Sequence, residues 1–72
     1  MQLEQLRALL AVVDHGTFDA AARALLVTPS AISQRIKALE SSTGRVLVER
    51  TAPCRPTDAG EVLVRTARQM VL

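Results

Sequence analysis

The sequence predicts a mainly α-helical fold, and two observations support this prediction. Of its 72 residues, 49% are hydrophobic, yet Phe18 is the single aromatic residue. A core of leucine, valine, isoleucine and alanine favours packed helices over a β-sandwich. Apolar residues also recur at three- and four-residue spacing, as they do in amphipathic helices. A chain of this length forms one small domain with a marginal core, so we expect a second chain to contribute stability.

The first two predicted helices are separated by a glycine. The first covers residues 2–15, and its apolar face consists of Leu3, Leu6, Leu10 and Val13. Gly16 then ends this helix. Thr17 can cap a second helix, FDAAARALL, through its hydroxyl, with the acidic Asp19 in the first turn. The inner face of the second helix consists of Phe18, Ala21, Ala22 and Leu25.

The segment TPSAISQRIKALE, residues 28–40, predicts a third helix with a sharply defined start. Thr28 can cap the first turn, and Pro29 occupies a position where its missing N–H has no cost. Since at most Leu26 and Val27 separate the second helix from the Thr28 cap, the two helices must meet at a sharp angle, which is the spacing of a helix-turn-helix motif. The core side of the third helix consists of Ile32, Ile36 and Leu39.

The opposite face of the third helix is unusually polar and carries a single charged residue. It consists of Ser30, Ser33, Gln34, Lys37 and Ser41. Solvated helix faces more often carry interleaved glutamate and lysine pairs. Short hydroxyls and an amide let another body approach closely, and they match base edges and phosphate oxygens. From this stretch alone, an ordinary solvated face with mediocre helix propensity remains an equally good interpretation.

After Gly44 the pattern changes to VLVER and then TAPCRPT, which predicts a small β-hairpin. We expect its tip to present Arg50, Thr51 and Arg55, stiffened by Pro53 and Pro56. A basic hairpin beside the third helix is the arrangement called a wing. Residues 1–57 therefore predict a winged helix-turn-helix domain with a three-helix core and a two-stranded wing.

A fourth helix, residues 58–72, is expected to begin after a Thr57 cap and to continue beyond the last residue. Its charged and polar arc consists of Asp58, Glu61, Arg65, Arg68 and Gln69. The remaining apolar arc spans roughly 200°, which is wider than one domain covers. We expect Ala59 and Leu63 to pack on the first three helices. The residues expected to pack on the same helix of a second chain, forming a two-fold homodimer, are Val64, Met70 and Val71.

Basic charge is concentrated in one part of the chain. The net charge is +2, but residues 30–57 hold five basic and two acidic residues, whereas the remainder holds four basic and five acidic ones. This asymmetry indicates a surface that binds a polyanion. For the wing arginines considered alone, solvated charge is the competing interpretation.

Catalytic, metal-binding and membrane functions find little support in the sequence. His15 is the single histidine, lies at a helix end, and has no accompanying carboxylate pair or glycine-rich phosphate loop. Cys54 has no second cysteine, so an incidental thiol is favoured over a redox sensor. We therefore expect no enzyme activity and no cofactor in this domain. The apolar run ALLAVV is too short for a membrane span, and the N-terminus lacks a basic leader, which indicates a cytoplasmic protein.

Three blocks of the sequence carry a family resemblance. They are FDAAARALLVTPSAISQRIKALE, GRVLVERT and PTDAGEVLV, in this order. Together they resemble the N-terminal winged helix-turn-helix domain of LysR-type transcriptional regulators. The segments TPSAISQRIKALE and GRVLVERTAPCRPTDAGEVLVRTARQMVL further resemble the branch of ArgP and LysG, regulators of basic amino-acid export. Pro29 and Ser30 stand where the commoner family pattern has a Gln-Pro pair, so a glutamine base contact at that position is not expected here.

The resemblance implies roles for individual residues. The residues expected to face base edges in the major groove are Pro29, Ser30, Ser33 and Gln34. Those expected to lie near phosphates are Thr17, Thr28, Arg35 and Lys37. The expected wing residues are Arg50, Thr51 and Arg55. Of these, Arg50 and Arg55 would reach the DNA backbone or the adjacent minor groove.

The resemblance also implies a biological setting. The protein would be bacterial and would bind a pseudo-palindromic double-stranded DNA operator as a homodimer, with higher oligomers in the full-length protein. An effector-binding domain would follow residue 72, and lysine or arginine are its candidate effectors. Two alternatives remain open. The first is a winged-helix module that binds another protein through the same face, and the second is a small stand-alone repressor without an effector domain.

Overall fold

The chain folds into three helices, a short antiparallel hairpin and a further helix, and the structure, a computed structural model, describes residues 2–70. The elements are α1 (Leu3–His15), α2 (Phe18–Leu25), α3 (Pro29–Thr43), β1 (Val48–Glu49), β2 (Arg55–Pro56) and α4 (Asp58–Met70). In the part of the chain described, this order confirms the predicted three-helix core, two-stranded wing and final helix.

Threonine caps start three of the helices where the sequence predicts them. The hydroxyl of Thr17 accepts a hydrogen bond from the Ala20 N–H, and the hydroxyl of Thr28 accepts one from the Ala31 N–H, both at 3.0 Å. Thr57 caps α4 in the same way, because its hydroxyl accepts from an N–H in the first turn of that helix. Each cap satisfies one backbone donor that the first helical turn leaves without a partner.

The buried face of α1 differs from the predicted one. Leu6, Leu9 and Val12 are buried, whereas Leu3 is 46% exposed and the predicted Leu10 and Val13 are partly buried at the edge of the core. The helix is apolar over much of its circumference, so periodicity alone does not select one stripe. Tertiary packing determines which face of α1 is buried. Both α2 and α3 pack on α1, and the small residues Ala8 and Ala11 lie in the buried face.

The predicted small hairpin is present, but Arg55 and Pro56 are placed differently within it. Its register pairs Val48 with Pro56 and Glu49 with Arg55. Arg55 and Pro56 therefore lie in the second strand, and the prediction that both belong to the tip is wrong. The base of the hairpin belongs to the core, where Leu47 and Val48 are buried.

The packing of α4 corrects the predicted dimer surface. Val64 is only 8% exposed and lies in the core of its own chain, so its assignment to a contact with a second chain is wrong. Ala59 and Leu63 pack against the core as predicted, although only partly buried. Met70 is 65% exposed. Val71 lies outside the described residues.

The reason for the difference is the position of the small residues on α4. Gly60, Val64 and Ala67 are buried together at four- and three-residue spacing. This spacing puts them on one face of the helix. Because Gly60 and Ala67 have little or no side chain, α4 approaches the neighbouring elements closely along this line, and Val64 between them is covered.

Candidate nucleic-acid interface

The third helix is held by one face and presents the other to solvent. Ile32, Ile36 and Leu39 are fully buried. On the remaining surface, the predicted DNA-facing residues Pro29, Ser30, Gln34 and Lys37 are exposed, while Ser33 and Arg35 are half-buried. Since the three buried residues are spaced along most of α3, they fix the helix against the core, and it supports the exposed side chains rigidly.

The start of α3 is fixed by its cap and by the turn before it. Leu26 adopts a left-handed backbone conformation, with φ of 59°, and its N–H donates back to the last turn of α2. The N–H of Val27 also donates to the Ala22 carbonyl, at 3.0 Å. Thr28 and Pro29 then begin α3. This turn sets the angle between α2 and α3, and with it the direction in which Ser30 and Gln34 face.

The N-terminus of α2 contains another predicted phosphate contact. Thr17 is exposed, and its hydroxyl is engaged with the Ala20 N–H. The aligned N–H groups of a first helical turn attract anions. Asp19, which is exposed in the same turn, opposes this attraction, because its carboxylate repels a phosphate.

The tip of the hairpin is attached to the corner between α1 and α2. The Cys54 N–H donates to the Gly16 carbonyl at 2.7 Å. The Thr51 hydroxyl donates to the Pro53 carbonyl, also at 2.7 Å, which closes the tip on itself. The Thr51 proton is therefore engaged within the wing, and its oxygen remains as an acceptor.

Arg50 and Arg55, the two predicted wing contacts, occupy different environments. Both are exposed. The guanidinium carbon of Arg50 lies 4.6 Å from the centroid of the Phe18 ring, within the range of a cation–π interaction. Arg55 lies opposite Glu49 in the hairpin register.

A half-buried glutamate joins α3 to the hairpin. Glu40 Oε2 accepts a hydrogen bond of 2.8 Å from the Leu47 N–H. This contact connects the last turns of α3 to the base of the wing, so the two surfaces predicted to meet DNA are held in a fixed relation. Sequence reasoning missed Glu40 and the contact of Phe18 with Arg50, because neither pairing has a helical or strand spacing that would reveal it.

An ion pair lies between α1 and α4. Arg68 donates two hydrogen bonds to the Asp14 carboxylate, at 2.6 and 3.2 Å. The hydrogen bond from Arg68, with its positive charge, holds the pKa of the Asp14 carboxyl below its ordinary value, and the same contact raises the pKa of Arg68. The pair links the C-terminal ends of the two helices.

Metal-binding clusters, cavities and membrane-spanning helices are absent from the described residues. Across residues 2–70, no set of three or more histidine, cysteine or acidic side chains is grouped to hold a metal ion, and no cavity is present. Within the same range, none of the helices has the length and apolar character needed to span a membrane.

The chain matches known proteins over nearly its whole length. The sequence model of a protein family, the bacterial regulatory helix-turn-helix proteins of the lysR family, matches residues 3–61. The lysine export transcriptional regulatory protein LysG of Corynebacterium glutamicum is 59% identical over 68 residues, which cover 94% of this chain and 23% of LysG.

Solved structures agree with this match. Full-length LysG from Corynebacterium glutamicum with bound effector Arg has a TM-score of 0.95 at 56% identity, covering 99% of this chain and 24% of LysG. ArgP from Mycobacterium tuberculosis has a TM-score of 0.90 at 60% identity, covering 96% and 27%. A complex of the CbnR DNA-binding domain with DNA has a TM-score of 0.92 at 35% identity, covering 99% and 83%.

The chain spans about a quarter of LysG and of ArgP but most of the CbnR DNA-binding domain. The correspondence therefore concerns the DNA-binding part of these regulators. The chain belongs to the lysR family of bacterial regulatory helix-turn-helix proteins and is a DNA-binding domain of the kind found in these regulators, and the matched relatives are transcriptional regulators rather than enzymes.

Proposed function

We propose that this domain reads a pseudo-palindromic operator in double-stranded DNA and thereby controls a gene of lysine or arginine export or of related amino-acid metabolism. The observation that carries the proposal is the exposed polar face of α3, which is supported from behind by three fully buried residues. A helix presented in this way fits the major groove, where base edges offer distinct patterns of donors and acceptors.

Base reading is assigned to the side chains that point away from the core near the start of α3. Ser30 and Gln34 are exposed, and Ser33 is half-buried between them and the core. Hydroxyl and amide groups both donate and accept, as base recognition requires. Pro29 completes this surface and offers an apolar contact.

Phosphate contacts are assigned to the residues around this surface. Lys37 is exposed further along α3, and Arg35 is half-buried on its flank. Thr17 and Thr28 lie at helix starts, where backbone N–H groups attract anions. In the wing, Arg50 and Arg55 supply charge for the backbone or the minor groove next to the α3 contact.

The proposal includes a homodimer formed through α4. Val62 is 58% exposed, and Met70 lies two turns further along the helix and is also exposed. At about 100° per residue these two positions lie roughly 80° apart around the helix, within the width of one apolar stripe. A second copy of α4 would cover them and set two α3 helices toward successive major grooves, which suits a pseudo-palindromic site.

For the whole protein, we propose an effector-binding domain beyond residue 72 that takes a basic amino acid. The support is the identity to the lysine export regulator LysG, whose structure contains arginine as effector. A regulator of this kind would act in the bacterial cytoplasm, associated with the nucleoid. The stand-alone repressor is less favoured, since the LysG and ArgP proteins are about four times as long as this chain.

The experiment that tests the proposal is selection of duplexes from a random library, followed by titration at increasing salt. We expect an enriched pseudo-palindromic motif. We also expect affinity to fall steeply with salt, because each neutralised phosphate adds about −0.9 to the slope of the logarithm of the binding constant against the logarithm of the salt concentration, here called the salt slope. No enriched motif, together with weak salt dependence, would instead favour the protein-interaction module.

A further inference from the structure

Phe18 lies beneath the wing although it starts a helix of the core. It is the first residue of α2, is half-buried, and packs against the core cluster. The Arg50 guanidinium lies over its ring at 4.6 Å. Because Phe18 is the single aromatic residue of the chain, no other side chain could provide this contact.

The backbone on both sides of this contact is already fixed. The Cys54 N–H is bonded to the Gly16 carbonyl at 2.7 Å, and a Cβ placed on Gly16 would lie 3.2 Å from the Pro53 Cβ. The wing tip therefore rests on the turn that leads into Phe18. What remains free at Arg50 is the long side chain itself, which has several rotatable bonds and is exposed.

The geometry leaves the donors of Arg50 available. A guanidinium has five N–H donors, and a single ring within cation–π distance leaves most of them free for other partners. The same side chain can therefore contact Phe18 and donate to phosphate. A side chain that is restricted before binding loses less conformational freedom when the complex forms.

We propose that Phe18 is a positioning residue, which holds the Arg50 guanidinium in the orientation that contacts the DNA backbone or minor groove. This inference rests on the proposed function, since it requires the wing to meet DNA. Phe18 itself makes no contact with DNA in this proposal. Phe18 acts through Arg50. The DNA affinity of the domain therefore depends on the aromatic ring of Phe18 and not only on the volume of its side chain.

The test is a double-mutant cycle on the 72-residue chain with the duplex enriched by selection. Phe18→Leu keeps an apolar side chain but removes the ring, and we expect it to weaken binding about two- to fivefold, the range of an exposed cation–π interaction. Phe18→Tyr keeps the ring and is expected to bind within about twofold of the parent. Arg50→Ala should weaken binding, and adding Phe18→Leu to it should cause no further loss.

Arg55→Ala is the matched control for this cycle, because Arg55 is an exposed arginine of the same hairpin. Phe18→Leu and Arg55→Ala should have additive effects on affinity. If Phe18 merely supported the fold, Phe18→Leu would weaken binding equally in the Arg50→Ala and parent backgrounds, and the proposal would be overturned. Thermal unfolding of each variant fixes a temperature at which all are folded.

The outcomes also separate this inference from the proposed function. If Arg50→Ala weakens binding while Phe18→Leu binds as the parent does or more tightly, positioning by Phe18 is refuted and the DNA contact of Arg50 stands. If Arg50→Ala binds as the parent does, the wing contact and the positioning role both fail. In the free protein, the ring current of Phe18 should shift the NMR resonances of the Arg50 side chain, and Phe18→Leu should abolish that shift.

Discussion

Gly60 in α4 lies directly against the carbonyl group of Leu47 at the base of the wing. A Cβ on Gly60 would overlap the carbonyl oxygen and stand 3.0 Å from the carbonyl carbon. The same oxygen accepts a hydrogen bond of 3.0 Å from the Thr57 N–H. Because Gly60 has no side chain, α4 can pack directly against the Leu47 carbonyl group at the base of the wing.

Substitution of Gly60 by alanine should therefore destabilise the domain. Alanine gains about 1 kcal/mol of helix propensity over glycine. The added methyl nevertheless meets backbone, which cannot move aside without disturbing the Thr57–Leu47 hydrogen bond, so we expect a net loss of roughly 1–3 kcal/mol. Urea unfolding measures it, with Gln69→Ala, an exposed change in the same helix, as the control. Equal midpoints for the two variants would contradict the described packing.

Local signals explain what could be predicted from the sequence. Thr17 and Thr28 cap helices because a hydroxyl before an apolar run bonds within its own turn, and this needs no tertiary information. Ile32 and Ile36 were placed in the core correctly because α3 has one clear apolar stripe. The exposed face of α3, the central part of the candidate site, follows from the same periodicity.

Contacts between distant residues explain what could not be predicted. The role of Gly60 depends on Leu47, and Val64 is buried because α4 approaches the core at Gly60. The apolar arc of α4 is too broad for periodicity to show which part faces inward. Likewise, Phe18 was placed correctly on the inner side of α2, but its contact with Arg50 joins residues far apart in the chain.

The ion pair between Asp14 and Arg68 predicts a pH-dependent contribution to stability. The folded pKa of Asp14 lies below its ordinary value of 3.8. A lowered folded pKa means that the unfolded chain binds the proton more readily, so the stabilisation is complete above the ordinary value and disappears as pH falls through the lowered one. Since both side chains are about half exposed, the effect should be small and weakened by salt.

The measurement is the melting temperature of Asp14→Asn and of the parent across acidic and neutral pH. We expect the parent to melt higher at neutral pH and the difference to vanish in strong acid. Glu61→Gln, which removes an exposed carboxylate from α4 outside this contact, is the control. A difference that is independent of pH would mean that titration of Asp14 is not its source.

Leu26 offers a stabilising substitution. It is a leucine with φ of 59° and is 91% exposed, so its side chain gains little from packing while its backbone is in a conformation unfavourable for residues with a Cβ. Leu26→Asn should raise stability by about 0.5–1 kcal/mol, because asparagine tolerates this conformation better. Val46→Asn, at an exposed residue without positive φ, should give no such gain in the same urea titration.

Two substitutions on α3 should separate base reading from phosphate contact. Lys37→Ala should weaken binding to enriched and random duplexes alike and lower the salt slope by about one, because a phosphate contact carries no sequence information. Gln34→Ala should cost on the order of 1–3 kcal/mol on the enriched duplex and little on random DNA. An unchanged salt slope would remove Lys37 from the interface, and a uniform loss for Gln34→Ala would exclude base reading.

The dimer proposed through α4 can be tested by contrasting exposed and buried positions of the same helix. Val62 and Met70 are exposed, whereas Val64 is buried in its own chain. Glutamate at both exposed positions should leave the domain folded but disfavour self-association, since it places charge where a second apolar helix would pack. Val64→Glu should instead unfold the domain, because it buries an unpaired charge in the core.

Sedimentation across micromolar concentrations and circular dichroism distinguish these results. We expect the Val62→Glu, Met70→Glu double variant to keep the helical signal of the parent, to sediment as a monomer, and to lose affinity for a palindromic duplex much more than for a single half-site. That asymmetry follows because each half-site is read by one α3, and only the dimer holds two of them at the spacing of the palindrome. A double variant that associates and binds the palindrome as the parent does would rule out this face of α4 as the dimer surface.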